Sequence, residues 1–186
     1  MLGLIVIVVI VAVLLFMTVG VYNRLVGLRQ RANQAFADID VQLRQRHDLI
    51  PNLVETVKGY ATHERGTLEA VTAARQAAVS AQGVEGKVQA ENALTGALRQ
   101  LFAVAEAYPD LKANQNFMQL QSELADIENK LAASRRFFNG AVGEYNAAIQ
   151  QFPAVLFANP MGFSERAFFD LGEDRAAVSE TPQVKF

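Results

Sequence analysis

Between Met1 and Asn23 the chain carries no charged side chain, and Arg24, Arg29 and Arg31 follow within the next eight positions. This pattern restricts the fold more than any other in the sequence. The run from Leu2 to Tyr22 is almost entirely Val, Ile, Leu, Ala, Phe and Met. As a helix it would be roughly 30 Å long, the thickness of a bilayer's hydrocarbon. Val6, Ile7, Val8, Val9, Ile10 and Val11 would favour a strand in water. In lipid every backbone N–H must bond within its own segment, so helix is expected. A cleaved signal peptide would need a basic start, a shorter apolar core and a small-x-small cleavage site. The run has no basic start and is too long, so a retained anchor is expected, residues 1–23. With no Lys or Arg before the span and three Arg after it, the expected topology is a single-pass inner (cell) membrane protein, N-terminus outside and the remaining mass cytoplasmic.

About 160 residues remain, enough for one domain with a modest core. The formal net charge of −2, without a basic patch interleaved with aromatics, argues against a nucleic-acid partner. With no cysteine, the chain has no disulfide, thiolate chemistry or Cys-ligated metal.

From Phe117 onward, apolar or small residues fall alternately three and four apart: Phe117, Leu120, Leu124, Ile127, Leu131, Ser134, Phe138, Ala141, Tyr145, Ala148, Phe152. This seam predicts a helix roughly 55 to 60 Å long, capped by Asp110 or Asn114 and stopped by Pro153. A partner of the same spacing follows the membrane run: Phe36, Ile39, Leu43, Arg46, Ile50, Leu53, Val57, Tyr60. Its phase passes through Pro51, which predicts one kinked helix rather than two. Shorter helices are expected over 63–82 and 84–107, with turns at Gly83 and Gly86 and at Tyr108-Pro109-Asp110. Gly59, Thr62 and Gly66 permit a turn before the second helix, while one continuous helix from Ala35 to Ala81 is the alternative. The expected fold is all-α: a transmembrane helix, an antiparallel up-and-down four-helix bundle over 24–152 with the first and fourth helices as long neighbours, and an extended arm over 153–186. Because Tyr22-Asn23 gives no stop signal, anchor and first bundle helix are expected to form one rod, with Gly27 and Asn33 its weak points. The arm carries Phe157, Met161, Phe163, Phe168, Phe169 and Leu171 without helical period and is too apolar for a typical disordered tail. It is expected either to fold back along its own bundle or to pack against a neighbouring copy or the bilayer surface.

Chemistry-bearing motifs are few. His47-Asp48 combines imidazole and carboxylate, but adjacent helical residues point about 100° apart, so a helix-seam or inter-helix hydrogen-bonding role is expected. Arg44 is spaced to pair with Asp48, and Glu55 with Lys58. His63-Glu64 begins like a zinc-binding HExxH helix, but Thr67 stands where the second His belongs. No Gly-rich phosphate loop or Gly-x-Ser-x-Gly elbow is present. Neither a metal nor a cofactor is expected. Asp38, Asp40, Arg44, Arg46 and Arg135-Arg136 suggest a charged stripe, either a solvated face with ordinary i to i+4 pairs or a lateral docking surface between copies.

The stretch IDVQLRQRHDLIPNLVETVKGYATHE, from Ile39 to Glu64, resembles the signature of the LemA family of bacterial membrane-anchored proteins. The resemblance continues through Tyr22-Asn23-Leu25-Val26, Val71-Thr72-Ala74-Arg75, Asn114, Phe117, Tyr145-Asn146, Phe152-Pro153 and the terminal Pro182-Gln183-Val184-Lys185-Phe186. Phe138-Asn139 departs from it, standing where a Tyr-Asn pair is usual. The resemblance implies a helical bundle behind one transmembrane helix and a membrane-associated scaffold, and it carries over no catalytic residue. Candidate interaction residues are therefore Arg46, His47, Asp48, Leu49, Ile50, Pro51, Asn52, Leu53 and Glu55, then Tyr145, Asn146, Phe152, Phe163, Phe168, Phe169 and Phe186. The leading expectation is a non-enzymatic scaffold that contacts membrane lipid, forms homo-oligomers and organises envelope partners or shapes the bilayer. Its alternative is an adaptor or sensor binding a membrane partner such as an envelope protease through the HDLIPNLV surface. A hydrolase using His47 or His63 is the third.

Overall fold

A computed structural model describes residues 1–61 and 63–170. The apolar run and the first bundle helix are a single helix, α1 (Leu2–Lys58), of 57 residues and hence about 85 Å. Its two halves meet different surroundings. Residues 2–17 are exposed on every side, and this half is long and apolar enough to cross a membrane. Thr18 bonds its hydroxyl to the Leu14 carbonyl, so even the polar side chain of this half is satisfied within the helix. From Leu25 onward one stripe is buried: Leu25, Ala32, Ala35, Ile39, Leu43, Arg46, His47, Ile50, Leu53 and Val57. Neither Gly27 nor Asn33 interrupts the helix.

The chain turns at Gly59, and α2 (Arg65–Ser80) returns antiparallel along the lower part of α1. The separate-helix alternative therefore holds over a continuous helix to Ala81. Gly83 opens α3 (Gly83–Glu106) at φ +69°, a left-handed conformation that a side chain would strain, which explains glycine at this tight reversal. One turn not anticipated from sequence, α4 (Pro109–Lys112), starts with Pro at its first position, where the missing N–H costs nothing. The long α5 (Gln115–Gln150) is capped by Asn114, whose side chain accepts from the Phe117 N–H at 3.0 Å.

α1 and α5 are antiparallel neighbours over nearly the whole domain. Tyr60 meets Asn114, Arg46 meets Glu128, Phe36 meets Phe138, and Arg31 meets Glu144. At the end far from the apolar run, all five helices share a core built on Ile50, Leu53, Val57, Leu68, Val71, Leu94, Leu101, Leu111 and Phe117. Nearer the run the core is built mainly by α1 and α5, with Leu43, Leu131 and Phe138, and is completed by Phe169 of the C-terminal segment and by Val84 and Val88 of α3.

α5 stops at Gln150, so Phe152 leaves the seam that its spacing suggested and is 77% exposed. Past Pro153 a 3-10 turn (Ala154–Leu156) leads to Gly162, whose φ of +78° sends the chain back. Residues 163–170 then run extended down the groove between α1 and α5, burying Phe163 and Phe169. Up to Asp170 the arm thus folds along its own bundle. The expectations placed on Leu171 and on the terminal motif through Phe186 lie outside the described residues.

Candidate functional site

Helix phase divides the stretch from Arg46 to Glu55. Arg46, His47, Ile50 and Leu53 point inward and are buried, Asp48, Pro51, Asn52 and Glu55 lie on the surface, and Leu49 sits between. Arg46 reaches two other helices at once. Its Nη1 donates to Glu91 Oε2 on α3 at 2.8 Å, and its Nη2 to Thr95 Oγ1 at 2.9 Å and to Glu128 Oε1 on α5 at 2.7 Å. His47 Nε2 lies 2.6 Å from the other oxygen, Glu91 Oε1. One carboxylate therefore holds two consecutive residues of α1, which is possible because α3 sits between their diverging directions. Arg46 and Glu91 are each only 1% exposed, so both charges have left water and depend on one another.

Pro51 has a specific consequence here. A proline within a helix removes the bond to the carbonyl four residues back and pushes that carbonyl aside. In α1 this is the carbonyl of His47, and Arg75 Nε of α2 donates to it at 2.7 Å. The acceptor that Pro51 releases becomes the docking point for α2. Arg75→Ala is expected to destabilise the domain by about 1 to 3 kcal/mol through an unpaired carbonyl. In a Pro51→Ala background, where residue 51 supplies its own N–H, the same change is expected to cost measurably less. Denaturant unfolding of the four chains of this double-mutant cycle checks it.

The cluster has the geometry of a lock. His47 Nε2 and both Glu91 oxygens are engaged with each other or with Arg46, and His63 stands exposed in the α1–α2 turn. Around the lock the surface is open. Asp40, Arg44, Asp48, Arg75 and Lys87 line a polar cleft of about 480 Å³, and Val54, Glu55, Lys58, Arg65, Leu68 and Glu69 a shallower groove of about 720 Å³. Of the charges suspected of forming a stripe, Arg46 is interior and Asp40 pairs with Lys87 of α3, while the separately expected Glu55–Lys58 pair is present. Among the described residues, no ion pair joins Arg44 to Asp48.

A second constellation occupies the other end of α5. Asn146 donates through Nδ2 to the Arg166 carbonyl at 3.0 Å and accepts from the Arg166 N–H at 2.9 Å. Asn139 does the same for Phe169, at 3.1 and 2.8 Å. Each side-chain amide thus mimics the partner strand of a ladder and reads backbone alone. The spacing explains the repeat: seven helical residues rise about 10.5 Å, and three extended residues span about 10 Å. The aromatic preceding each Asn, Phe138 or Tyr145, is buried beneath the arm. Phe138 packs on Phe36 with ring centroids 5.5 Å apart, an apolar contact that uses no hydroxyl. Arg166 Nη2 reaches Asn33 Oδ1 of α1 at 2.6 Å, so the arm also ties the two long helices together. Phe163 is buried against Leu25 and Tyr145 and Phe169 beside Phe138, whereas Phe168 remains half exposed.

Sequence reasoning missed Glu91 and Asn139. Glu91 lies midway between Val88 and Leu94 in the α3 seam. A carboxylate in a seam, opposite a seam arginine on α1, was the available signal.

Comparison with known proteins adds a family to this geometry. The model of the LemA family matches residues 35–186. Magnetosome protein MamQ of Magnetospirillum gryphiswaldense is 25% identical, over 88% of this chain and 70% of its own length. Magnetosome protein MamQ 2 of Paramagnetospirillum magneticum is 24% identical with the same coverage. Protein LemA of Metamycoplasma hominis is 24% identical over 94% of this chain and 80% of its own.

Proposed function

The chain belongs to the LemA family, and from that premise we propose that it is a membrane-anchored, non-enzymatic scaffold that self-associates and organises envelope partners or shapes the bilayer. One observation carries the reading: α1 runs without a break from the exposed apolar segment into the locked core. A tether needs no such stiffness. A helix that is membrane span and bundle seam together fixes the height and orientation of the domain over the bilayer, which is what an assembly of repeated copies requires. The names of the relatives, magnetosome protein and LemA, specify no reaction. The arginine flank supports a topology with the N-terminus outside and the bundle in the cytoplasm, which proteolysis of sealed and inverted vesicles tests directly.

The test is the full chain in lipid. Reconstituted into vesicles and imaged by electron cryomicroscopy, it is expected to form ordered multi-copy patches or to change membrane curvature. Isolated monomers on undeformed vesicles at every density would overturn the proposal.

A second reading rests on the grooves lined by the exposed Asp48 and Glu55, with Asn52 on a third between α1 and α5: an adaptor for a membrane partner such as an envelope protease. Photo-crosslinkers at Asn52 and Glu55 in cells separate the two. Links to another polypeptide favour the adaptor, and links between copies alone favour the scaffold.

A further inference from the structure

The turn between α5 and the arm has two faces. Inward, Ala154 and Ala158 are buried against Leu25, Tyr145 and Ile149. Outward, Phe152, Val155, Leu156 and Met161 are exposed by 77, 52, 68 and 40%, an apolar cluster that the described residues leave uncovered. Its height is fixed by contacts on α1. The Phe163 and Tyr22 rings lie 5.5 Å apart, Ile149 packs at Leu25, and Val21 packs against the same cluster. Tyr22 ends the apolar run, so the cluster stands where α1 leaves the uncharged segment.

Two further observations suit this turn to lipid. No charged residue occurs between Glu144 and Glu165, so the uncharged stretch of the C-terminal half meets that of α1 at one level. The turn also bonds its own backbone: Val155 N–H to the Gln151 carbonyl, Phe157 and Ala158 to Ala154, Met161 to Phe157, and Phe163 to Ala158. Backbone groups satisfied in this way can leave water without loss.

We propose that the turn over 152–161 is a second membrane contact, seating Phe152, Val155, Leu156 and Met161 in the interfacial layer of the bilayer that α1 crosses. This rests on the reading of α1 as a membrane span. The span sets the domain's height and mean orientation, and a second contact beside it narrows the remaining tilt in one direction. The partner is the lipid surface, and its acyl chains are what the cluster recognises.

Because the chain has no cysteine, single cysteines carrying an environment-sensitive fluorophore can be placed at chosen sites. The full-length protein labelled at Phe152, Leu156, Leu14 or Val79 would be reconstituted into phosphatidylcholine–phosphatidylglycerol vesicles containing spin-labelled lipid quenchers. Labels at 152 and 156 are expected to shift to the blue and lose most of their emission to the shallow quencher. The label at Val79, exposed on α2, is expected to stay solvent-like and unquenched. If 152 and 156 stay solvent-like while Leu14 is quenched, the second contact is wrong and the span stands. If Leu14 is also unquenched, the span itself fails. A blue shift at 156 without lipid quenching, growing with protein density, would assign the cluster to a neighbouring copy and overturn the proposal.

Discussion

Replacing Glu91 by alanine is expected to destabilise the domain by about 3 to 5 kcal/mol, the cost of leaving a buried charge without its partner. The reason is geometric. Arg46 is 1% exposed and would keep the neutral Thr95 hydroxyl and Glu128, whose side chain is 42% exposed and shares its field with water. His47 would lose its 2.6 Å contact at the same time. Glu91→Gln, which keeps the shape and one acceptor, is expected to lose less. The pair Arg46→Met with Glu91→Leu is expected to recover part of the loss, because apolar side chains of similar size need no partner. Denaturant unfolding of the full chain in detergent, followed by helicity, measures all three. A Glu91→Ala chain within about 1 kcal/mol of the parent would show that the lock carries little weight.

The second large effect is expected from Asn139→Ala combined with Asn146→Ala. Each substitution removes both bonds to the backbone of one arm residue, at about 1 to 3 kcal/mol for backbone groups left unpaired. Since 1.4 kcal/mol is about tenfold, each single change is expected to raise the population of released arm roughly tenfold and the pair roughly a hundredfold. Arg166 lies within the clamped segment and is itself a tryptic site, so the rate of cleavage after Arg166 reports release. A doubly substituted chain cleaved at the parental rate would mean that burial of Phe163 and Phe169 holds the arm without the amides.

Both effects lie where sequence and structure part company. The seams of α1 and α5 were legible because helical burial repeats every three or four residues, and Ile39, Leu43, Ile50, Leu53 and Val57 fall on that repeat. Pro51 did not hide the continuity of α1, because the apolar phase on either side of it agrees. The seam position of Glu91 marked it for burial, but its partner was not legible, because ion pairing between helices depends on relative rotation and height, which periodicity within a helix does not encode. The arm was ambiguous for the same reason. Its residues show no period of their own, and the spacing that matters sits on Asn139 and Asn146 of another element. Phe152 was misplaced in the seam because a repeat alone does not say where the last turn ends; α5 closes at Gln150.

The unbroken course of α1 makes azimuth a transmitted quantity. Each helical residue advances about 100° around the axis, so the compass bearing of every side chain in the apolar segment is set by the bearing of α5 on the bundle. One residue inserted at Gly20, where nothing packs, would swing the whole domain by about 100° relative to the apolar half of α1 without altering a contact inside either. Seven would bring it back to within about 20°. In the proposed assembly, which face of the bundle two neighbouring copies present to each other is thus written in the number of residues between the apolar segment and the core.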